Sequence, residues 1–257
     1  MEAPFKQIVR EQQAWAVTDS LDFFASHRQS VDDLYPSERV FLPDVATGVD
    51  TVLDVGCACG GFVPILHSFN PRLAYFGVDV IPAMIAEARR RHPRGRYTVA
   101  AGHALPFRSQ GVDLVHCSGV VHLNSDFKTM IAEMWRVAGE YLLFDMRLTE
   151  GASVAGEFTV SFEDACDETG DGTGCGHRLL PYHVVNFEEA RQLINALAEP
   201  PVEVDMFAYH HAPSPQSSFD PDTRILMAFL LLRRRSDNPG WHSRIDGRDE
   251  TTSLRDN

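Results

Sequence analysis

The sequence is poor in positive charge and almost free of lysine. It carries 23 basic against 36 acidic side chains, a net charge of −13, and its only lysines are Lys6 and Lys128. Affinity for nucleic-acid backbones and anionic membranes comes largely from lysine and arginine, so this balance disfavours both as partners. The preference for arginine suggests a GC-rich bacterial genome. The arginines between 89 and 96 fall where a predicted helix ends, and we interpret them as charge that complements the helix dipole.

Long apolar segments are absent as well. The longest apolar run, ILMAFLLL at 225–232, suits a buried strand and is too short to cross a bilayer. The opening MEAPFKQIVR has no apolar core of the length found in signal peptides. Five cysteines, an odd number, then indicate reduced thiols and a cytoplasmic location.

Two common site motifs are missing. Cys57 and Cys59 are spaced C-x-C without a matching Cys/His pair at zinc spacing, so we interpret them as small thiols in a tight turn, with a metal or redox role as the alternative. The spacing of Cys166, Cys175 and His177 is a weak metal pattern, and no metal site is predicted. The turn after the first predicted strand also lacks the G-x-G-x-x-G of dinucleotide-binding dehydrogenases.

The apolar pattern divides the chain into three parts. Residues 1–46 carry helical spacing and predict an N-terminal helical cap. Over 47–234, short apolar runs alternate with amphipathic helices, which predicts an α/β domain with a doubly wound, Rossmann-like sheet of seven mostly parallel strands. Its last two strands, joined by a loop, predict an antiparallel pair at one edge. The polar segment 235–257 is predicted to be a disordered tail.

Residues 147–183 interrupt the alternation of strands and helices. The stretch EDACDETGDGTGCGH is acidic and rich in glycine, which predicts a long loop or an insertion over the site. The next helix is predicted to begin after Asn186, with Glu189 three residues further on, a capping-box pattern.

The stretch TVLDVGCACGG at 51–61 combines the first strand, a glycine-bearing turn and the start of a helix. Ligands of open α/β sheets bind beyond the carboxyl ends of the strands. Gly56 and Gly60 allow close backbone approach, and the helix offers free N–H groups to an anion. The stretch resembles motif I of the class I S-adenosylmethionine (SAM)-dependent methyltransferases. Ala58 replaces a common glycine there, and we expect it to be tolerated if its φ is negative.

Four further stretches resemble this family in order and spacing, over about residues 50–147. YFGVDVIPAMIAEARR resembles the second motif, whose acid, here Asp79, binds the ribose hydroxyls. AAGHALPF resembles the segment near the adenine, with His103 in place of the usual Asp and the backbone of Ala104 as an alternative contact. VDLVHCSGVVHL and IAEMWRVAGEYLLFDMR resemble the fourth strand with its loop and the approach to strand five.

The resemblance implies SAM as the cofactor and a set of residues that bind it. Arg28 and Tyr35, in the cap, are expected to close over its methionine end. The complete set of predicted cofactor-binding residues is Arg28, Tyr35, Asp54, Gly56, Cys57, Ala58, Gly60, Asp79, Val80, Met84, Gly102, His103, Ala104, Leu105, Ser118 and Gly119.

Candidate catalytic residues follow strands four and five or come from the insertion. His122 is the first candidate for a general base, with a packing or hydrogen-bonding role as the alternative. Arg147 is expected either to clamp an acidic substrate or to form a plain ion pair, and His183 to contact the substrate. The wider set also includes Tyr35 from the cap, His116, interpreted as buried structure, Asp145 and Tyr182.

The sequence therefore predicts a SAM-dependent methyltransferase that acts on O or N of a small molecule, such as a sugar, a natural-product intermediate or another metabolite. A homodimer is one expected assembly. The alternatives are a protein or RNA methyltransferase, a non-catalytic SAM-binding regulatory module, and a dehydrogenase. The net charge disfavours RNA, whereas the acidic insertion offers a surface to a basic protein segment.

Overall fold

The structure is a computed structural model that describes residues 18–160, 178–220 and 223–246. The strands are β1 (Thr51–Val55), β2 (Ala74–Asp79), β3 (Arg96–Val99), β4 (Val112–Cys117), β5 (Ala138–Thr149), β6 (Val154–Val160), β7 (Arg178–Asn186), β8 (Glu203–His211), β9 (Ile225–Arg233) and β10 (Gly240–Asp246). The helices are α1 (Thr18–Ser26), α2 (Pro36–Thr47), α3 (Phe62–Phe69), α4 (Pro82–Arg91), α5 (Phe127–Val137) and α6 (Phe187–Asn195).

The sheet has the strand order β10-β8-β9-β5-β4-β1-β2-β3, and β6 and β7 form a hairpin that joins it through β5. Strands β1 to β5 pair in parallel, and β9 is antiparallel to both β5 and β8. The predicted α/β, mostly parallel, Rossmann-like architecture is confirmed. The described part of the chain has ten strands, against the seven predicted.

Both faces of the sheet are buried. Successive side chains of a strand point to opposite faces, so Leu142 and Phe144 on β5 join one apolar cluster and Leu143 joins the other. The first cluster contains Trp135 on α5, and the second contains Leu42 on α2. No helix within 18–160, 178–220 and 223–246 is long and apolar enough to cross a membrane.

The segment 235–257 is the first place where the structure corrects the prediction. Residues 240–246 form β10, which pairs in parallel with β8 at the edge of the sheet, so the antiparallel pair β8–β9 lies inside it. The strand has few apolar residues, and backbone pairing together with Trp241 holds it. The Trp241 ring packs on Phe187, and its Nε1 donates to Asn195 Oδ1 at 3.1 Å. Residues 247–257 lie outside the described residues.

The segment 147–183 is the second place where the structure corrects the prediction. Its described part is the end of β5 and the β6–β7 hairpin, in which Val154 lies opposite Val184. Residues 161–177, with Cys166, Cys175 and His177, lie outside the described residues. Backbone bonds attach the hairpin to the loop after β8, since Thr159 N donates to Gln216 O at 2.8 Å. We call β6, β7 and residues 212–218 the outer wall.

The described part of the cap consists of α1, a 3-10 turn at Val31–Asp33, and α2. Helix α2 begins with Pro36, whose ring suits a first helical position. Its Leu42 and Val45 are buried against the sheet, and this packing fixes the position of the cap. Residues 1–17 lie outside the described residues.

Helix α6 is capped as its sequence predicts. Asn186 Oδ1 accepts from Glu188 N at 2.9 Å and from Glu189 N at 3.2 Å. The return contact of the capping box passes through Ser153, whose Oγ accepts from Asn186 N and donates to Glu189 Oε2, each at 2.7 Å. The cap therefore also fastens the start of the β6–β7 hairpin to the helix.

Replacing Asn186 by Ala should lower the free energy of unfolding by about 1 kcal/mol, because two backbone donors at the helix start lose their acceptor. Chemical denaturation monitored by circular dichroism measures the change. The matched control is Gln192→Ala on the exposed face of the same helix, which should leave stability within about 0.5 kcal/mol. Equal stability of the wild-type and Asn186→Ala proteins would contradict the capping role.

Candidate functional site

The turn after β1 is held in left-handed backbone conformations. Gly56 has φ 80 and Gly60 has φ 79. The N–H groups of Gly56 and Cys57 donate to Val78 O at 2.8 and 3.0 Å. A Cβ on Gly56 would come within 2.4 Å of Val120 Cγ2 on the loop after β4, so only glycine fits. The turn is therefore wedged between β2 and that loop.

Ala58 does not meet the condition of a negative φ. Its φ is 45, a region that costs an L residue about 1–2 kcal/mol. Its N–H donates to Asp79 Oδ2 at 3.0 Å, and this bond holds the strained residue in place.

Asp79 ends β2 and receives two backbone N–H groups. Oδ2 accepts from Ala58 N, and Oδ1 accepts from Ile81 N at 2.9 Å. Burial raises the pKa of Asp79 to about 6, although the hydrogen bonds from Ile81 and Ala58 lower it. An ionised carboxylate has about four acceptor positions, so Asp79 keeps some for a ligand.

A cavity of about 770 Å³ lies beyond the carboxyl ends of β1, β2 and β4. The cap and the outer wall close it on two sides. Two of the three catalytic candidates, His122 and Arg147, line it. It is also lined by most of the predicted cofactor-binding residues, namely Arg28, Tyr35, Gly56, Cys57, Ala58, Asp79, Val80, Met84, Gly102, Ser118 and Gly119.

Other predicted cofactor residues lie outside the cavity lining. Asp54 sits beneath the turn, where its Oδ2 accepts from Tyr75 Oη at 2.5 Å and its Oδ1 contacts His116 Nδ1 at 2.9 Å. His116 is fully buried with its ring against Phe62, so its interpretation as buried structure is confirmed. The remaining predicted residues outside the lining are Gly60, His103, Ala104 and Leu105.

His183 also lies elsewhere. It lines a second cavity of about 530 Å³ between α5, α6 and the β6–β7 hairpin, together with Lys128 and Glu189. Its ring centre is 5.0 Å from that of Phe127. The structure thus separates His183 from the cavity that contains His122 and Arg147.

Asp145 organises the cavity wall after β4 and β5. Its Oδ1 accepts from Gly119 N at 2.7 Å, and its Oδ2 pairs with Arg147 Nη1 at 2.5 Å. Burial by itself lowers the pKa of Arg147, but Asp145 and then Tyr182 outweigh this and raise it. Asp145 Oδ2 lies 3.9 Å from His122 Nδ1. The loop after β4, Arg147 and His122 are therefore set around one carboxylate.

His122 is neutral at physiological pH. Burial, followed by the nearby charges of Arg147, His183 and His211, lowers its pKa well below the ordinary value. Its ring meets Tyr182 edge to face at 5.1 Å between centres. A neutral imidazole can accept a proton, which keeps the role of general base open to it.

Glu38 holds the cap against the cavity. Its Oε2 pairs with Arg28 Nη1 at 2.5 Å and accepts from Tyr35 N at 2.6 Å, while its Oε1 accepts from Ser118 Oγ at 2.7 Å. Arg28, which has φ 59, lies over the Tyr35 ring at 4.0 Å. One buried carboxylate thus joins two cap residues to the loop after β4.

The cysteines of the turn behave as packing residues. Burial raises the pKa of Cys57 well above its usual value and raises the pKa of Cys59 to about 11. Cys59 Sγ packs against Met84 Sδ at 3.4 Å. A protonated thiol is neither a good nucleophile nor a metal ligand, which favours the structural interpretation of both.

Three described residues lie close enough together to hold a metal ion, but two of them pair with an arginine. Glu203, Asp205 and His242 bring their ligand atoms together on β8 and β10. Arg233 pairs with Glu203 at 3.3 Å and with Asp205 at 3.0 Å. We therefore interpret the group as a salt-bridge network at the edge of the sheet.

With this geometry in place, the chain can be compared with known proteins. The sequence profile of a methyltransferase domain matches residues 52–140. A demethylmenaquinone methyltransferase of Deinococcus radiodurans is 26% identical over 152 residues, 55% of this chain and 63% of that protein. A trans-aconitate 2-methyltransferase of Variovorax paradoxus is 28% identical over 97 residues, 38% of this chain and 36% of that protein. The N-terminal domain of EvdMO1, with S-adenosylhomocysteine (SAH) bound, superposes with a TM-score of 0.51 at 12% identity, over 78% of this chain and 82% of that one.

The profile spans the turn after β1, Asp79 and the start of β5. The predicted resemblance to the class I SAM-dependent methyltransferases is confirmed, because residues 52–140 match a methyltransferase domain. SAM is the cofactor of this family, so the cofactor predicted from the sequence is confirmed. The chain spans less than two thirds of the length of the curated relatives that it matches.

Sequence reasoning missed the residues that the methyltransferase domain takes from distant segments. Glu38 has only a local signal, its place three residues into a helix after Tyr35 and Pro36. A second missed set lines the cavity from the cap, from the outer wall and from β9, and no motif marks it; it comprises Phe23, Phe24, His27, Phe158, Thr159, Val160, residues 211–216 and Met227.

The substitution Ala58→Gly should raise the free energy of unfolding by about 0.5–1 kcal/mol, because relief of the left-handed strain exceeds the entropic cost of glycine. Denaturation curves measure it. The matched control Ala86→Gly, on an exposed helical position of α4, should lower stability by about 1 kcal/mol. Destabilisation by both substitutions would contradict the strained conformation of Ala58.

Proposed function

We propose that this chain is a SAM-dependent methyltransferase that methylates a small-molecule acceptor. The supporting observation is that one cavity is lined by the turn and Asp79 on one side and by His122 and Arg147 on the other. Its size falls in the range of about 300–1,000 Å³ typical of small-molecule sites. Both curated relatives above are named for small-molecule acceptors.

The residues of the cavity fit the cofactor. Asp79 has free acceptor positions for two vicinal hydroxyls of a ribose. Gly102 lines the cavity, where a Cβ would come within 2.7 Å of Met130 Cε, and without a side chain its backbone can lie close to a flat base. Arg28 and Tyr35 lie where the cap meets the turn and would bind the methionine carboxylate. When bound, SAM supplies a methyl group activated by its sulfonium.

The chain's own contribution to the reaction is position and, for acceptors with a proton to lose, a base. Asp145 fixes Gly119 and Arg147, so an acceptor bound at this wall faces the cofactor at a set distance. Much of the rate enhancement comes from holding the two reactants in this way. His122 is neutral and lines the same wall, so it would take the proton of an O–H or N–H acceptor.

Affinity for SAH should fall below pH 6, by about tenfold for each pH unit, because protonation of Asp79 removes the charged acceptor of the ribose hydroxyls. The raised pKa of Asp79, about 6, places this loss within a range where the fold can be studied. Calorimetric titration with SAH between about pH 5 and about pH 8 measures it.

The matched control is Asp79→Asn, which should bind SAH weakly and with the same affinity across the pH range. An affinity of the wild-type protein that does not change below pH 6, or a pH dependence that survives in Asp79→Asn, would assign the ribose contact to another group.

The acceptor class is tested by label transfer. SAM labelled in its methyl group is incubated with the protein and a bacterial extract, and the products are separated by size. The label should appear among small molecules. Label in protein or RNA would favour the macromolecular alternatives, and SAH binding without any transfer would favour a regulatory binding module.

We further propose that the protein acts in the cytoplasm as a homodimer. The location is supported by the free, buried thiols of Cys57, Cys59 and Cys117. The homodimer is an expectation from the sequence analysis, and light scattering on the purified protein measures the oligomeric state.

A further inference from the structure

We propose that the methyl acceptor carries a carboxylate and that this group binds the guanidinium of Arg147. The inference rests on the proposed function, because it says which chemical group binds in the part of the cavity that the cofactor does not fill. The carboxylate serves as an anchor, whichever atom of the acceptor receives the methyl group.

Charge is distributed unevenly around the cavity. Among the described residues that line it, Asp79 is the only carboxylate, and it belongs to the ribose side. The other side presents Arg147 with the imidazoles of His122 and His211. Asp145 balances Arg147 from behind and does not line the cavity. A cationic acceptor would meet a guanidinium there, whereas an anionic one would meet donors.

Arg147 retains donor capacity after its ion pair. Asp145 accepts from Nη1, and the Tyr182 hydroxyl also interacts with the guanidinium, whereas the buried Nε has no hydrogen-bond partner among the described residues. A guanidinium has five N–H donors and no acceptor, so its spare positions can be satisfied only by an acceptor atom. An anionic oxygen makes the strongest such bond. The exposed part of the side chain, 9%, faces a cavity in which a ligand can supply that oxygen.

A negative charge bound beside Arg147 would change the pKa of His122. Burial lowers the pKa of His122 most, and the charges of Arg147, His183 and His211 lower it further. A carboxylate placed beside Arg147 offsets those charges and raises the pKa of His122 toward its ordinary value. Binding of an anion therefore has a signature on a neighbouring residue.

The rest of this side is apolar, which defines the body of the acceptor. Phe158, Val160 and Met227 line the cavity beside Arg147. The Phe158 ring is stacked with Tyr182 at 6.2 Å between centres and an angle of 17°. Flat apolar surfaces beside one charged donor group suit a compact acid with an aromatic or aliphatic body.

Calorimetry on the SAH-loaded full chain tests this with three probes of one shape: 3-phenylpropanoate, 3-phenylpropanamide and 3-phenylpropylamine. The acid should bind at least about tenfold more tightly than the amide, the minimum expected for a hydrogen bond to a charged group, and the amine should bind most weakly. Nuclear magnetic resonance should show the pKa of His122 rising with the acid and not with the amide.

The variant to compare is the double substitution Asp145→Asn/Arg147→Gln. Removing Arg147 alone would leave Asp145 buried and uncompensated, whereas the pair removes both charges and keeps an oxygen for Gly119 N. It should abolish the preference for the acid while SAH affinity is retained. The matched control Glu87→Gln/Arg90→Gln neutralises an ion pair on α4 outside the cavity and should keep the preference.

The outcomes separate the two proposals. Equal binding of acid and amide, tightest binding of the amine, no binding of any probe to the SAH-loaded protein, or a preference that survives in the Asp145/Arg147 double variant overturns the carboxylate anchor and leaves the proposed function standing. If the double variant does not fold, a His122 pKa unchanged by the acid in the wild-type protein overturns it. Failure of the wild-type chain to bind SAH is the separate failure of the proposed function, and the anchor falls with it.

Discussion

The carboxylate of Asp79 connects the two strands on which the site depends. It accepts the N–H of Ala58 from the turn after β1 and the N–H of Ile81 at the end of β2. The turn has three residues with positive φ, Gly56, Ala58 and Gly60, so it needs such an anchor to persist. Burial raises the pKa of this acid, which means that the ligand-free fold loses stability as the pH rises from the unfolded pKa toward 6 and carries the full cost above it. A ligand that offers hydroxyl donors relieves that cost.

Two other buried carboxylates repeat this arrangement around the cavity. Glu38 accepts a hydrogen bond from Tyr35 N and pairs with Arg28 in the cap. Asp145 accepts a hydrogen bond from Gly119 N and pairs with Arg147. In each case one carboxylate fixes a backbone N–H and a guanidinium together. Removing one partner of such a buried pair leaves an uncompensated charge, so the geometry of the cap, of the loop after β4 and of Arg147 is strongly constrained. The cavity is therefore largely formed before any ligand enters it.

The sequence predicted the parts of the site that are written in local motifs. The order of strands and helices over 51–146, the glycine turn and the position of Asp79 all follow from apolar runs and short spacings. The positive φ of Ala58 could not be predicted, because its conformation is imposed by a hydrogen bond to Asp79, 21 residues away. Strand β10 was missed because its residues are polar and its stability comes from pairing with β8.

The acceptor side could not be predicted from the sequence, because it is assembled from distant segments. Phe158 on β6, Gln216 in the loop after β8 and Met227 on β9 meet only when the sheet is complete, and each belongs to a stretch without a recognisable motif. Likewise, the role of Arg147 depends on whether its guanidinium is fully used by Asp145, which only the geometry reveals.

A crystal structure of the SAH complex tests the central claim most directly. The account predicts the ribose hydroxyls within hydrogen-bonding distance of the Asp79 carboxylate and the backbone of Gly56 and Ala58 against the amino-acid part of the ligand. SAH bound at another place, or bound here with Asp79 facing no part of the ribose, would contradict it.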